Sequence, residues 1–445
     1  MSEPQRTPSK GHTRNKSSLK ATRPRSSTKG PLDIDNDPLA AASAAPSTPS
    51  QLTPRTHGGP RRSTSTARSP SSPAGASSPK PRLGEFRPKD FSFLLRPEIY
   101  HPLTPLNVPA AFRNSGKQPS PEAPINELLA KGHFRAAAIA AVQELTGTGH
   151  RGQVIPHDAP RIFNLLYTRL ACLTLIDATS LAAQEVKALE DLNNTRTYVD
   201  ETTGEHLVPW ELRVLNVRLQ ALGFGDSRRA VMSYHELARE ARDNISKAMT
   251  RHDNYARELW KARLHDLGIK VAGALIEMDD LAGAAHHLAS LPNRGDNKHA
   301  LSKALLWLQL GDADQARECA KECTGGVEEA ENTEVLIQAL CDMADADYEA
   351  ALAKWERLQD LDDEMIAINT AVCLLYLGRM PEGRTILEKQ IESGRTSHTL
   401  LFNLSTMYEL CTEKNRVLKM KLAERVAGME ERPSGWEKSN MDFKL

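Results

Sequence analysis

Aromatic residues make up only 5% of this 445-residue chain. Sandwich and barrel cores lean on aromatic and β-branched side chains, so a supply this thin points to Ala-rich helical packing. No apolar run approaches the roughly 18 residues needed to span a bilayer. The opening MSEPQRTPSKGHTR has no apolar h-region, so we expect no secretory signal. The six cysteines, Cys172, Cys319, Cys323, Cys341, Cys373 and Cys411, follow neither disulfide nor zinc spacing. Thiols scattered through helical patterns act as small apolar residues and suit a reducing, cytoplasmic setting. The chain lacks a Gly-rich phosphate loop ending in Lys-Ser/Thr, a Gly-x-Ser-x-Gly elbow and a His-Glu-x-x-His pair. The reading is therefore a non-enzyme with no catalytic residue, metal or cofactor.

What is present divides sharply by composition. The net charge is zero, but residues 1–85 carry 14 Lys/Arg against 5 Asp/Glu, and the remainder carries 43 against 52. A basic tail precedes an acidic body. The tail is rich in Ser, Thr, Pro and Arg and nearly devoid of aromatics, so burial cannot offset its ordering entropy and we read it as disordered. Its Ser/Thr-Pro dipeptides, such as Thr7-Pro8 and Ser78-Pro79, suit either a solvated spacer or proline-directed phosphorylation. Without interleaved aromatics it is not read as a nucleic-acid binder.

Residues 86–121 form a second region. Phe91, Phe93, Leu94, Leu95, Ile99 and Tyr100 are interspersed with prolines that forbid a continuous helix. A Pro-spaced apolar strip is expected to lie extended along the chain's own helices or along a partner. Residues 91–113 are the first candidate for a docking element.

From 122 to 445 the pattern is helical and repeats. The recurring signature is a Gly or Asp turn, an apolar residue, then small residues at helical spacing. It appears at Gly132-His133-Phe134, Asp279-Asp280-Leu281, Gly311-Asp312-Ala313, Ala346-Asp347-Tyr348 and Gly378-Arg379-Met380. Gly311, Ala346 and Gly378 lie 35 and 32 residues apart, close to the tetratricopeptide period of about 34. Helices crossing at about 8–10 Å leave room only for Gly, Ala or Ser at the closest points, as at Ala371, Gly383 and Ser405. A HEAT-like array would need longer units. The fold class is thus all-α: a tetratricopeptide-type α-solenoid of about seven to eight helix pairs behind a disordered tail. Ser180–Leu192 reads as a helix and NNTRTYVDETTGEH, residues 193–206, as a loop.

Cys319 and Cys323 share a helical face, as two core thiols or half a metal site. His286 and His287 point about 100° apart, so we read them as rim histidines. Trp210, Trp260, Trp307 and Trp355 read as packing between repeats. Asn369 and Asn403 each precede a crossing residue by two positions. With Tyr408 they are candidates for holding an extended peptide in the concave groove, because an amide both donates and accepts. The alternative is that they stitch neighbouring helices.

The segments FLLRPEIYHPL, FRAAAIAAVQELT, LYTRLACLTLIDATSLAAQEVKALEDL, LVPWELRVL, GFGDSRRAVMSYHELAREAR and FNLSTMYEL resemble the subunit-12 family of the transport protein particle (TRAPP) complex. The resemblance runs over roughly residues 90–445 and includes irregular segments that a generic repeat would not share. It implies a scaffold within the larger TRAPP III assembly, contacting other TRAPP subunits, notably large subunit 11. Its association with a Rab GTPase would be indirect, around a core that promotes nucleotide exchange. It implies vesicle tethering, endoplasmic reticulum-to-Golgi traffic and autophagy, with only peripheral membrane association and no nucleic-acid partner. No catalytic residues come with it.

Overall fold

The computed structural model describes residues 88–149, 152, 154–292, 296–323, 327–358 and 363–445. The tail expected over residues 1–85 lies outside them. Among the described residues eight helix pairs follow one another. They are α1 (Ile125–Ala130) with α2 (Phe134–Thr146), α3 (Ala159–Leu175) with α4 (Thr179–Glu185), and α5 (Trp210–Phe224) with α6 (Ser227–Thr250). Next come α7 (Asn254–Glu277) with α8 (Leu281–Ser290), and α9 (Asn297–Gln309) with α10 (Ala313–Ala320). The last are α11 (Val327–Ala344) with α12 (Tyr348–Arg357), α13 (Glu364–Tyr376) with α14 (Met380–Glu392), and α15 (His398–Cys411) with α16 (Asn415–Gly428). Consecutive helices pack in chain order, except that α9 reaches back to α7 rather than α8, which makes a tetratricopeptide-type array.

The turn signature has a backbone cause. In seven of the eight pairs one turn residue has positive φ: Gly132, Asp177, Gly225, Asp279, Gly311, Ala346 and Gly378. That left-handed residue lets the next N–H reach back and close the finished helix. Asp280 N donates to Leu275 O at 3.0 Å, Asp312 N to Trp307 O at 3.0 Å and Asp347 N to Asp342 O at 2.9 Å. The same aspartates open the second helix. Their carboxylates accept from Gly283 N, Gln315 N and Ala350 N respectively. One residue thus closes one helix and caps the next, so the pair needs only a three-residue corner.

Small residues sit where the helices cross. A Cβ on Gly383 would stand 3.0 Å from Ala371 O, and one on Gly223 would stand 2.1 Å from Ala183 Cβ. The core runs along the array as successive clusters; Leu288, Ala304, Ala316 and Ile337 fill one and Val335, Ala351, Trp355 and Cys373 the next. Trp210 and Trp260, from consecutive pairs, meet edge to face at 5.2 Å.

Two segments differ from the sequence reading. Thr179–Glu185 gives way to a 3₁₀ turn over Val186–Leu189 and stops at Glu190, whose φ is +50°. The polar stretch 193–206 is not all loop. Thr195–Tyr198 forms one helical turn, a bridge pairs Val199 with His206, and Tyr198 is buried with its hydroxyl on Leu189 O at 2.7 Å. One aromatic among polar neighbours gave no periodic signal, yet it anchors the excursion.

Candidate functional site

The Pro-spaced strip lies along the chain's own helices. It is not fully extended: 3₁₀ turns form over Ser92–Leu95 and Pro97–Ile99, and a short helix over Ala110–Arg113. Phe91, Leu94 and Leu95 are buried beside Phe163, Leu166 and Tyr198, with the Phe91 and Phe163 rings 4.9 Å apart. Their side chains are spent on the chain's own core. Phe93, Ile99 and Tyr100 are half-buried against the same cluster. The Tyr100 hydroxyl donates to Leu94 O at 2.7 Å, and burial first, then Glu185, raises its pKa.

A buried ion pair pins the strip. Arg169 and Glu185 are each 1% exposed and meet through two hydrogen bonds, Nε–Oε2 at 2.9 Å and Nη2–Oε1 at 2.6 Å. Arg169 Nη2 also donates to His101 O at 2.7 Å, and Glu185 Oε1 accepts from His101 N at 2.8 Å. Both charges are thereby satisfied by each other and by strip backbone, as burial of a charge requires.

Further along, the strip joins the two ends of the array. Val108 and Phe112 pack into the cluster formed by α13 to α16 and the C-terminal residues Trp436 and Phe443. Trp436 N donates to Gly132 O at 3.1 Å, and Asn440 N to Asn107 O at 2.7 Å. Arg135 clasps Glu437 at 2.5 Å and Thr104 O at 2.7 Å, and His133 faces Glu431 at 3.2 Å. Residues 429–445 thus close the first helix pair onto the last. Gly132 serves both as turn and as contact: a Cβ there would lie 2.1 Å from Arg432 O. This closure was missed in the sequence. The unassigned aromatics Trp436 and Phe443, beyond the final helix, were the available signal.

A cavity of about 300 Å³ opens at the closure, bordered by Phe134, Arg135, Thr174, His398, Lys438 and Asp442. Burial lowers the pKa of Lys438, while Asp442 and Glu364 oppose the shift. His398 Nδ1 and Asp442 Oδ1 are 2.6 Å apart. No cluster of three or more His, Cys, Asp or Glu able to hold a metal occurs among the described residues. Burial pushes Cys319 up to about 11 and Cys172 up to about 12, so these thiols are poor ligands and nucleophiles at neutral pH.

The proposed peptide-holding residues are divided in their circumstances. Tyr408 is buried, donates to Glu388 Oε1 at 3.0 Å and lies under the Arg384 guanidinium. Asn403 spends its Nδ2 on Thr399 O, one turn back in its own helix, at 2.8 Å. Asn369 is half-buried, and its amide forms no hydrogen bond among the described residues. Ala371 and Ser405 sit fully buried, as crossing residues should.

No family model matches the chain. Human trafficking protein particle complex subunit 12 is 24% identical to it over 342 residues, covering 69% of this chain and 46% of that protein. The chain is similar to that subunit. The mouse subunit 12 is 23% identical over 342 residues, covering 69% of this chain and 43% of its own length. The chain therefore spans just under half the length of the curated relatives it matches. Among solved structures, a tetratricopeptide repeat protein from Parabacteroides merdae overlays 60% of this chain and 93% of its own at 14% identity and a TM-score of 0.34. The P58(IPK) TPR domain overlays 70% and 93% at 12% identity and a TM-score of 0.20. Overlays this low add nothing to the fold read directly from the helices.

Proposed function

We infer that the chain is a non-catalytic scaffold subunit of a TRAPP-type tethering assembly. The observation that carries this is its sequence relationship to subunit 12 over 342 residues. An array of stacked helix pairs supports the reading, because it offers long faces for neighbouring subunits. In its finer form the assembly is of the TRAPP III type, and large subunit 11 is the neighbour. The chain supports, without touching substrate, a core that promotes nucleotide exchange on a Rab GTPase. The setting is endoplasmic reticulum-to-Golgi traffic and autophagy. The protein is then cytoplasmic and reaches membranes peripherally through the assembly. The test is native affinity purification of the tagged full chain with mass spectrometry of what accompanies it. Stoichiometric TRAPP subunits are expected; their absence would sink the reading. Deleting residues 91–113 is a poor test of docking, because it removes Phe91, Leu94 and Phe112 from the core.

A second reading, a peptide-holding adapter, draws its support from the uncommitted amide of Asn369. Replacing Asn369 and Asn403 by Ala would abolish capture of an extended peptide. If every partner of the wild type survives the change, the groove is structural only.

A further inference from the structure

Helix α6 carries an exposed face that joins cationic and methionine side chains. Met232, His235, Arg239, Arg242, Ser246 and Met249 alternate in steps of three and four, and all are exposed. At about 100° per residue they fall within one narrow stripe of the helix. A second helix laid along this face would meet these side chains in turn. Its 24 residues make a rod of about 36 Å. The opposite face, with Ala230, Tyr234, Leu237 and Ala241, is already buried in the array.

The charges on this helix are unequally committed. Glu240 is held by Arg213, and Glu236 accepts from Asn193 at 3.1 Å. Asp243, on the stripe's edge, is the remaining carboxylate. Arg239 and Arg242, and Arg228 one step before the stripe, form no ion pair among the described residues. The two stripe arginines therefore face solvent beside methionines that are 60% and 58% exposed. Guanidinium forks match carboxylates, and methionine adapts to whatever apolar surface approaches.

We propose that the exposed α6 stripe docks an acidic amphipathic helix of a neighbouring subunit. Carboxylates of that helix meet Arg239 and Arg242, and its apolar positions cover Met232 and Met249. The inference rests on the scaffold reading, since it names the chemistry of one partner within that assembly. A membrane would use the same charges differently: a lipid surface needs cations and apolar tips but no partner helix.

The test compares the tagged full chain with its Arg239→Glu/Arg242→Glu variant in native purification. Both positions are exposed, so melting should be unchanged, which a thermal scan checks. Charge reversal on both arginines should reduce recovery of one subunit by at least about tenfold and leave the fold intact. In parallel, Ser246→benzoylphenylalanine, illuminated in the purified assembly, should cross-link to a segment with Asp and Glu at helical spacing. A variant that keeps every subunit overturns the proposal, as does a cross-link to a non-acidic segment. If the variant loses binding to phosphatidylserine-rich vesicles but keeps its subunits, the stripe reads lipid and the proposal is likewise overturned. A wild-type chain that recovers no TRAPP subunit overturns instead the reading on which the proposal rests, so the two failures are distinct.

Discussion

The later pairs and the opening region of this molecule are built by different physics. From α7 to α14 each pair repeats one device: a left-handed turn residue, a capping group or tight corner, and Ala or Gly at the crossing. Contacts there are mostly between neighbours in sequence. Between residues 88 and 208 the device weakens, and long-range pins replace it. The Arg169–Glu185–His101 network joins residues up to 84 positions apart. Repetition makes a region stable by adding similar small terms. Irregularity makes it depend on a few large ones.

The largest break in that contrast should come at Arg169. Arg169→Ala leaves Glu185 buried and unpaired and should cost about 3–5 kcal/mol, read by denaturant unfolding. Replacing both partners by apolar residues of similar size should recover most of the loss, because neither charge then stays buried alone. If the single change costs no more than an exposed substitution, the pin is not a pin.

Gly132 tests the closure. Its φ of +73° and its approach to Arg432 O both exclude a side chain. Gly132→Ala should cost about 2 kcal/mol or more through strain and overlap. Hydrogen exchange in residues 429–445 should rise before exchange in α9–α14 does. Uniform change across the chain would argue against a separately releasable closure.

His206 gives the opening region a pH response. Its Nδ1 accepts from Val208 N at 3.0 Å, so Nε2 carries the proton and faces Leu192 O at 3.0 Å. That neutral form is the one the fold uses. Burial first, then Arg213, lowers its pKa. The unfolded chain therefore binds the proton more readily, so the stability this site contributes is full above about pH 6.5 and is lost as pH falls below it. His206→Gln should flatten the part of the melting curve between neutral and mildly acidic pH. An unchanged curve would reject the assignment.

The smallest effect lies in the regular region. Ala346 holds the left-handed turn position at φ +63°, where Gly311 and Gly378 stand in adjoining repeats. Ala346→Gly should stabilise by up to about 1 kcal/mol by relieving that strain. A loss of stability would show that Ala346 packs in a way the neighbouring turns do not.

The sequence alone determined the repeat class and five of the seven left-handed turns, because both are local. A residue that must adopt positive φ, an aspartate that must cap, and alanines at helical spacing announce themselves within a few positions of one another. It also carried the similarity to the TRAPP subunit. Tertiary structure alone decided the destination of Phe91, Leu94 and Leu95. A Pro-spaced apolar strip looks the same whether it will cover its own helices or another protein's. The choice depends on Phe163 and Tyr198, far along the chain. The joining of Gly132 to Trp436, 304 positions on, was equally silent in the sequence. Burial and long-range closure are properties of two surfaces together, and a pattern read along one segment records only one of them.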